Sequence, residues 1–325
     1  MKYATIGTSW ITEKFISAAN TVEDMTLAAV YSRSEEKAAE FAKKHSCGTF
    51  FTDIYKMAES DCFDAVYIAS PNVCHYEQSK LFLLKGKNVI CEKPATTTKE
   101  QMEELIALAE QKNLIYCEAI MTIHADGFNA IRENLGRIGN IRSAHFDFCQ
   151  LSSKYPLYIE GKNPNIFNPE MHTGCLMDIG VYNLYLTVGL FGKPEKIISD
   201  TVFLPNSCDA AGTAIFRYSD KSAVLNYSKV GQTYSHSEII GDTGTILIES
   251  VSQLTGTYFK HKEQTECLIP DEVSRDEIMS GEIKFFKRMC DNKDYSDKSY
   301  IFVKETALTV RECCDTIRRD NAFLF

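Results

Sequence analysis

The chain has 325 residues, of which 44% are hydrophobic and 24% charged, and its formal net charge is −9. This is ordinary globular composition, and the length allows one large or two ordinary domains. The acidic balance argues against nucleic acid or an anionic membrane as a main partner. No uninterrupted apolar run reaches the roughly 18 residues that a membrane span needs, and the amino terminus turns polar too soon for a signal peptide.

Twelve cysteines are scattered along the chain, without a CxxC pair or a cluster of histidines beside them. Most lie in apolar surroundings, for example Cys62, Cys91 and Cys117. This distribution favours reduced, buried thiols in a cytoplasmic protein, and it gives no reason to expect a metal site.

Strands and helices alternate over the first 121 residues. Apolar runs predict strands at 2–7, 27–32, 63–70, 87–92 and 114–120, and the segments between them predict helices at 12–21, 34–45, 73–86 and 99–113. Ser34 is the expected N-cap of the second helix. Continuous apolar strands that alternate with helices predict an α/β domain whose parallel sheet is covered on both faces.

The pattern changes after about residue 122. Strands are predicted at 142–152, 195–204, 211–219, 222–230, 236–241 and 244–250, with helices at 124–135, 174–191, 276–291 and 300–319. The segments YSDKS and GDTG read as hairpin turns. We therefore expect a Rossmann-like domain at 1–121 and an α+β domain with a mostly antiparallel sheet at 122–325.

The segment ATIGTSWITEKF lies where a dinucleotide-binding turn belongs, between the first strand and the first helix. Only Gly7 of the G-x-G-x-x-G pattern is present, because Ser9 and Thr12 fill the other two positions. A helix N-terminus after the first strand is a natural site for a pyrophosphate. We expect cofactor contacts from the run Gly7, Thr8, Ser9, Trp10 and Ile11; the alternative is an ordinary strand-to-helix turn.

The second strand ends in Ser32 and Arg33. A site for NAD usually has Asp or Glu here, to hold the ribose 2′-hydroxyl. Without that carboxylate the 2′-phosphate of NADP is not repelled, and Arg33 can pair with it. The pair favours NADP over NAD; the alternative is an ordinary surface arginine.

Four segments together carry a family resemblance: the turn after Gly7, SPNVCH (70–75), EKP (92–94) and GCLMDIGVY (174–182). The sequence resembles the glucose–fructose oxidoreductase / inositol dehydrogenase / MocA family over nearly its whole length. The resemblance implies a Rossmann domain, a second domain with an open, mostly antiparallel sheet, and NAD(P)-linked oxidation or reduction of a sugar, polyol or diol. It also implies a homodimer or larger homo-oligomer.

The resemblance implies catalytic roles for Lys93, Asp178 and Tyr182. Lys93 would hydrogen-bond the reacting oxygen and stabilise alkoxide character as hydride leaves. Tyr182 would carry the proton, as in tyrosine-type members similar to dimeric dihydrodiol dehydrogenase. Asp178, four residues earlier on the same helix face, would either orient Lys93 or contact the substrate. His75 is expected near the nicotinamide or the substrate, or else is a helix-start histidine with neither contact.

Further cofactor contacts map by resemblance onto Ser70, Pro71, Asn72, Glu92 and Lys93. Glu92 is interpreted as a hydrogen-bond partner or loop anchor rather than an acid–base group. Members of the family often have a cis bond before the motif proline, here Pro94.

Two departures from the family pattern bear on the substrate. Thr173 occupies a loop that is usually glycine-rich and is expected to narrow the substrate mouth. Tyr185 stands where histidine-type members often carry an acid, and is expected to pack in the core. Both argue against a simple inositol-like substrate.

Three functions remain open from the sequence. The first is an NADP-preferring dehydrogenase or reductase, the second an NAD-dependent glycosidase of the same fold, and the third a non-catalytic NAD(P)-binding sensor. The presence of Lys93, Asp178 and Tyr182 argues against the sensor, and the expected NADP preference argues against the glycosidase.

Overall fold

The structure, a computed structural model, describes residues 1–324. The chain forms two compact units. The first comprises residues 1–120 and 274–304, and the second comprises 121–273 and 305–325.

The first unit is built on a six-stranded sheet in the order β3-β2-β1-β4-β5-β6, in which every neighbouring pair is parallel. Its central strands carry almost uninterrupted buried apolar residues, as a sheet covered on both faces requires. This confirms the predicted Rossmann-like sheet. The strands are β1 (Lys2–Ile6), β2 (Thr26–Tyr31), β3 (Phe50–Phe51), β4 (Ala65–Ile68), β5 (Asn88–Glu92) and β6 (Tyr116–Ala119).

Helices connect these strands, and their starts follow local capping chemistry. The Ser34 side chain accepts a hydrogen bond from the Lys37 backbone N–H, and Thr98 does the same for Gln101, which satisfies amides that the helix itself cannot. The short β3 and the third helix have no counterpart in the sequence prediction. The helices are α1 (Trp10–Ala19), α2 (Glu35–Lys44), α3 (Ile54–Glu59), α4 (His75–Leu84) and α5 (Lys99–Gln111).

The second unit contains an eight-stranded sheet in the order β14-β13-β12-β11-β7-β10-β9-β8. Its strands are β7 (Ile141–Cys149), β8 (Lys196–Phe203), β9 (Asp209–Arg217), β10 (Ser222–Ser228), β11 (Ser237–Gly241), β12 (Thr245–Ile248), β13 (Thr257–His261) and β14 (Gln264–Ile269). The mostly antiparallel sheet is confirmed, and both hairpin turns join adjacent strands. The sheet is not a simple meander of consecutive strands, because β7 lies in the middle of the sheet and pairs parallel with β10.

Helices α6 (Asp126–Asn134), α7 (Tyr155–Ile159) and α8 (Val181–Phe191) belong to this unit, and a five-residue π-helical turn, Leu176–Gly180, leads into α8. The stretch Pro169–Phe191 is long enough and apolar enough to cross a membrane, but 72% of its most apolar part is buried inside the protein. Burial of this kind is typical of a core helix. The predicted helix at 174–191 is therefore present, with an irregular first turn.

Two long helices, α9 (Arg275–Asn292) and α10 (Lys298–Asp320), end the chain. The sequence pattern assigns both to the second domain, but residues 274–304 belong to the first unit. There α9 packs against α1, and the Ser17 hydroxyl donates a short hydrogen bond to the Asp276 carboxylate. The apolar face of α9 is buried in this packing, which a reading of local periodicity cannot assign to a particular domain.

Candidate active site

The turn after β1 brings the backbone unusually close to the neighbouring strand. Gly7 has φ +103, and a Cβ at this position would lie 2.5 Å from the Ala69 carbonyl oxygen. Only glycine fits both constraints. Ser9 precedes α1 but makes no side-chain capping bond, so the first amides of α1 remain available to an anion. These features fit the phosphates of a dinucleotide.

The end of β2 carries the two residues expected to select the cofactor. Ser32 Oγ accepts a hydrogen bond from the Ser34 backbone N–H at 3.3 Å. Arg33 is exposed, and within residues 1–324 its guanidinium makes no hydrogen bond or ion pair. A cation without a partner at this strand end fits the 2′-phosphate of NADP.

His75 connects two turns at the edge of the sheet. Its Nδ1 lies 2.9 Å from the Pro94 carbonyl oxygen and its Nε2 lies 2.8 Å from the Ser70 carbonyl oxygen. The side chain is 1% exposed, and burial lowers its pKa. Both ring nitrogens therefore face backbone carbonyl oxygens, and the neutral ring donates its one N–H to one of them. This placement gives no support to direct contact between His75 and a substrate, and it favours a positioning role.

The other residues of the SPN segment adjoin this histidine. The Ser70 hydroxyl donates to Gln78 Oε1 at 2.7 Å, and Pro71 precedes a 3₁₀ turn that begins at Asn72. Ser70, Pro71 and Asn72 thus follow the carboxyl end of β4, next to the turn after β1. This is the edge at which open α/β sheets bind their ligands.

Lys93 follows β5 directly and is partly buried, and the Lys93–Pro94 bond is cis, as the resemblance implies. Beside it, Glu92 Oε1 accepts a hydrogen bond of 2.5 Å from the Tyr67 hydroxyl. Burial raises the pKa of the Glu92 carboxyl, while Tyr67 and the Lys93 ammonium oppose the rise. The Glu92 carboxyl is thus hydrogen-bonded to Tyr67 beside Lys93, and the role of Glu92 as an anchor stays a prediction.

In the second unit, Asp178 and Tyr182 lie on either side of the junction between the π turn and α8. Asp178 forms an ion pair with Lys229, which directly follows β10. The Tyr182 ring meets Phe148 of β7 edge-on, with centroids 5.6 Å apart. Because β7 and β10 are parallel and paired, Phe148 and Lys229 lie at the same end of the sheet. The structure thus brings Asp178 and Tyr182 together, and gives Asp178 a cationic partner within its own unit.

A buried carboxylate, Asp209 of β9, holds the start of this helical segment. Its Oδ2 accepts the Leu176 N–H at 2.6 Å, and the Cys175 N–H also donates to the carboxylate. Gly174 has φ +126, and a Cβ there would lie 1.7 Å from Asp209 Oδ1. Burial raises the pKa of Asp209 to about 6, although these amides and the Arg318 guanidinium oppose the rise. Asp209 therefore fixes the backbone that leads to Asp178.

The side chains of Thr173 and Tyr185 both make contacts inside the second unit. The Thr173 hydroxyl donates to the Asn165 carbonyl oxygen at 2.6 Å and contacts that of Asn168 at 3.1 Å, which ties the loop before the helix together. Tyr185 is fully buried, as expected for core packing. The expected effect of Thr173 on a substrate mouth stays a prediction.

Sequence comparison identifies the family. The family model described as an oxidoreductase family with an NAD-binding Rossmann fold, GFO_IDH_MocA, matches residues 1–119, and the model of the GFO/IDH/MocA C-terminal domain matches residues 131–247. The chain belongs to the GFO/IDH/MocA family of oxidoreductases. Its Rossmann domain is thus a nicotinamide-cofactor-binding domain, in agreement with the geometry around Gly7.

Among GFO/IDH/MocA relatives, scyllo-inositol 2-dehydrogenase (NADP(+)) IolU of Bacillus subtilis is 43% identical over 251 residues, 77% of this chain and 76% of that protein. The uncharacterized oxidoreductase YgjR of Escherichia coli is 42% identical over 100% of this chain and 98% of its own. The structure of KijD10, a 3-ketoreductase from Actinomadura kijaniata in complex with NADP and TDP-benzene, superposes with a TM-score of 0.86. It shares 21% identity and covers 98% of this chain and 97% of that chain, so it supports the fold alone.

Sequence reasoning missed Lys229 and Asp209. Their partners in the segment 174–178 lie 33 and 51 residues away in sequence, so local periodicity gives no signal of what they face. A weak signal exists for Asp209, since an acidic residue that starts an apolar strand suggests a capping role. Among residues 1–324, no group of three or more His, Cys, Asp or Glu side chains is arranged to hold a metal ion, and all twelve cysteines are free thiols.

The raised pKa of Asp209 predicts a pH-dependent contribution to stability. The ordinary pKa is 3.8 and the folded value about 6, so the folded state keeps its proton longer. Stability from this group is complete below pH 3.8 and is lost as pH rises towards 6, by up to about 3 kcal/mol. Asp209→Asn removes this slope.

Urea unfolding of wild type and Asp209→Asn between pH 4 and 7 tests the prediction. As pH rises, the unfolding free energy of the wild type should fall relative to that of Asp209→Asn. The matched control is Asp200→Asn, at an exposed position of β8, for which the difference should stay flat. A flat difference for Asp209→Asn as well would contradict the prediction.

Proposed function

We propose that this protein is an NADP-preferring oxidoreductase that acts on a CH–OH group, or the corresponding carbonyl, of a sugar, polyol or diol. The observation that carries the proposal is the position of Lys93, next to the cis Lys93–Pro94 bond at the ligand-binding edge of the cofactor domain. The named activity of the 43% identical relative supports the same class of reaction and the same cofactor.

The bound cofactor would supply or accept the hydride. Lys93 would donate a hydrogen bond to the substrate oxygen and stabilise its developing negative charge. The Glu92 carboxyl and the Tyr67 hydroxyl, joined at 2.5 Å, would hold the strand end that carries Lys93. His75, which lies between the carbonyl oxygens of Ser70 and Pro94 and can donate to either, would position the same turn.

Tyr182 would act as the acid–base group in this reaction. Its ring is 8% exposed and is braced by Phe148, which limits the directions its hydroxyl can take. The Asp178–Lys229 ion pair places an acceptor and a donor one turn away. Such a pair suits neighbouring hydroxyl groups, because one oxygen can donate to Asp178 while another accepts from Lys229.

An assay with a panel of compounds would identify the substrate within this class. The relative acts, by name, on scyllo-inositol, which weighs against the argument that the departures at Thr173 and Tyr185 exclude inositol-like substrates. The panel therefore includes inositols, sugars and vicinal diols, with net NADPH formation as the readout. Cofactor-dependent turnover with no net change in NADPH would indicate the glycosidase instead.

Removal of the tyrosine hydroxyl is predicted to slow turnover without loss of the cofactor. Tyr182→Phe keeps the ring against Phe148 but removes the proton, and general acid–base groups contribute about 10²–10⁴-fold. We expect kcat to fall by that factor while the Kd for NADP hardly changes. Lys93→Met should cost at least as much, and the double variant little more than the poorer single one. Near-normal kcat for Tyr182→Phe would show that another group carries the proton.

The cofactor preference is predicted to depend on Arg33. Charge-assisted hydrogen bonds contribute about 1.5–3 kcal/mol, so Arg33→Ala should raise the Kd for NADP by about 10- to 100-fold. The Kd for NAD should change little, because NAD lacks the 2′-phosphate. Isothermal titration of both cofactors gives the two constants, and tighter binding of NAD by the wild type would refute the preference.

We further propose a cytoplasmic homo-oligomer that associates through the open face of the eight-stranded sheet. Ile198 and Val202 of β8 and Ile240 of β11 are exposed apolar residues on this face, and they would become buried against a second copy. Light scattering should give a mass above one chain, and Val202→Asp should lower it. A monomer at micromolar concentration would contradict the proposal.

A further inference from the structure

Arg275, the first residue of α9, is a cation without an anionic partner at the cofactor edge of the first unit. Its Nε is buried and has no hydrogen-bond partner. Within residues 1–324 the guanidinium forms no hydrogen bond and no ion pair. Its one close contact is with an aromatic ring, since Cζ lies 5.0 Å from the centroid of Trp10.

Trp10 places this guanidinium beside the dinucleotide turn. Trp10 is the first residue of α1 and follows the uncapped Ser9. Next to Arg275, the Asp276 carboxylate accepts a hydrogen bond from the Ser17 hydroxyl. Ser17 lies seven residues after Trp10 and therefore on the same face of α1. The first turn of α9 is thus anchored along α1, and the Arg275 side chain reaches from there towards the N-terminus of α1.

Two carboxyl groups also lie near Arg275, but neither accepts a hydrogen bond from its guanidinium. The Arg275 charge lowers the pKa of both Glu92 and Glu282, against a larger rise caused by burial. Neither forms an ion pair with it within residues 1–324. Glu92 is already bonded to Tyr67, and Glu282 is 3% exposed with its Oε2 unpartnered. The Lys93 ammonium also lowers the pKa of Glu92.

We propose that Arg275 binds the diphosphate of the nicotinamide cofactor. The diphosphate lies at the N-terminus of the first helix in Rossmann domains, and a guanidinium presents paired N–H donors that match phosphate oxygens. The Trp10 ring, whose centroid lies 5.0 Å from Cζ, attracts the guanidinium and helps to hold it at this position. The C-terminal segment thereby contributes a cofactor ligand to a domain whose other ligands come from residues 1–120. The assignment depends on cofactor binding and not on the identity of the substrate.

Arg275 and Arg33 should have separable effects, because NADP and NAD share the diphosphate and differ in the 2′-phosphate. Isothermal titration with NADP, NAD and ADP-ribose measures both. Arg275→Ala should raise all three Kd values by a similar factor of about 10- to 100-fold. Arg33→Ala should raise the Kd for NADP alone. Arg275→Lys, which keeps the charge but loses the fork, should lie between wild type and Arg275→Ala.

Arg288→Ala is the matched control, since Arg288 lies on the same helix but pairs with Asp297. It should leave all three constants unchanged. The thermal midpoint of each free variant, measured alongside, must stay near that of the wild type for its Kd to count, and Arg275→Gln replaces Arg275→Ala if the latter unfolds. Unchanged constants for a folded Arg275 variant would overturn the proposal. So would an effect on NADP alone, or an effect on NADP and NAD that spares ADP-ribose, because these place Arg275 at the 2′-phosphate or at the nicotinamide end.

Discussion

Parallel pairing of six strands is the constraint on which the cofactor domain depends. Parallel strands bring their carboxyl ends to one edge, so residues far apart in sequence meet there. Gly7, Arg33, Ser70 and Lys93 each follow a different strand of this sheet. The close approach between Gly7 and the Ala69 carbonyl shows how tightly the edge is packed. A side chain at this turn would displace the neighbouring strand end before it met any cofactor.

In the second unit, the main constraint is the start of a buried helix. The first amides of a helix have no partners within it, and here the segment starts with an irregular π turn. Asp209 supplies the acceptors from the adjacent strand, and the energetic cost is a carboxyl held in a buried site. Lys229, at the end of the parallel pair of β7 and β10, forms an ion pair with the second carboxylate, Asp178. One buried carboxyl, Asp209, and one partly buried ion pair thus lie around the short segment that carries Asp178 and Tyr182.

The sequence was most informative where the physical signal is local. The alternation of apolar strands and helices, the Ser34 cap and the glycine at the first turn all depend on neighbouring residues, and each is present as predicted. Non-local features were missed for a physical reason. The parallel pairing of β7 with β10, the partner of Asp178 and the packing of α9 on α1 depend on contacts between segments that local periodicity does not relate. His75 falls between the two cases. Its motif located the correct turn, but only coordinates show that both of its ring nitrogens face backbone carbonyl oxygens.

The position of α9 bears on how the chain folds as it is synthesised. The first unit takes residues 1–120 and then residues 274–304, so its hydrophobic core lacks α9 until residues 274–304 have left the ribosome. Apolar side chains of α1 and the sheet that α9 covers stay exposed to solvent during that interval, and the closing contact joins residues about 260 positions apart. Contacts of such long sequence separation form slowly and leave aggregation-prone surface uncovered. The nascent chain is therefore a natural client for chaperones that shield apolar surface until the carboxyl-terminal segment emerges.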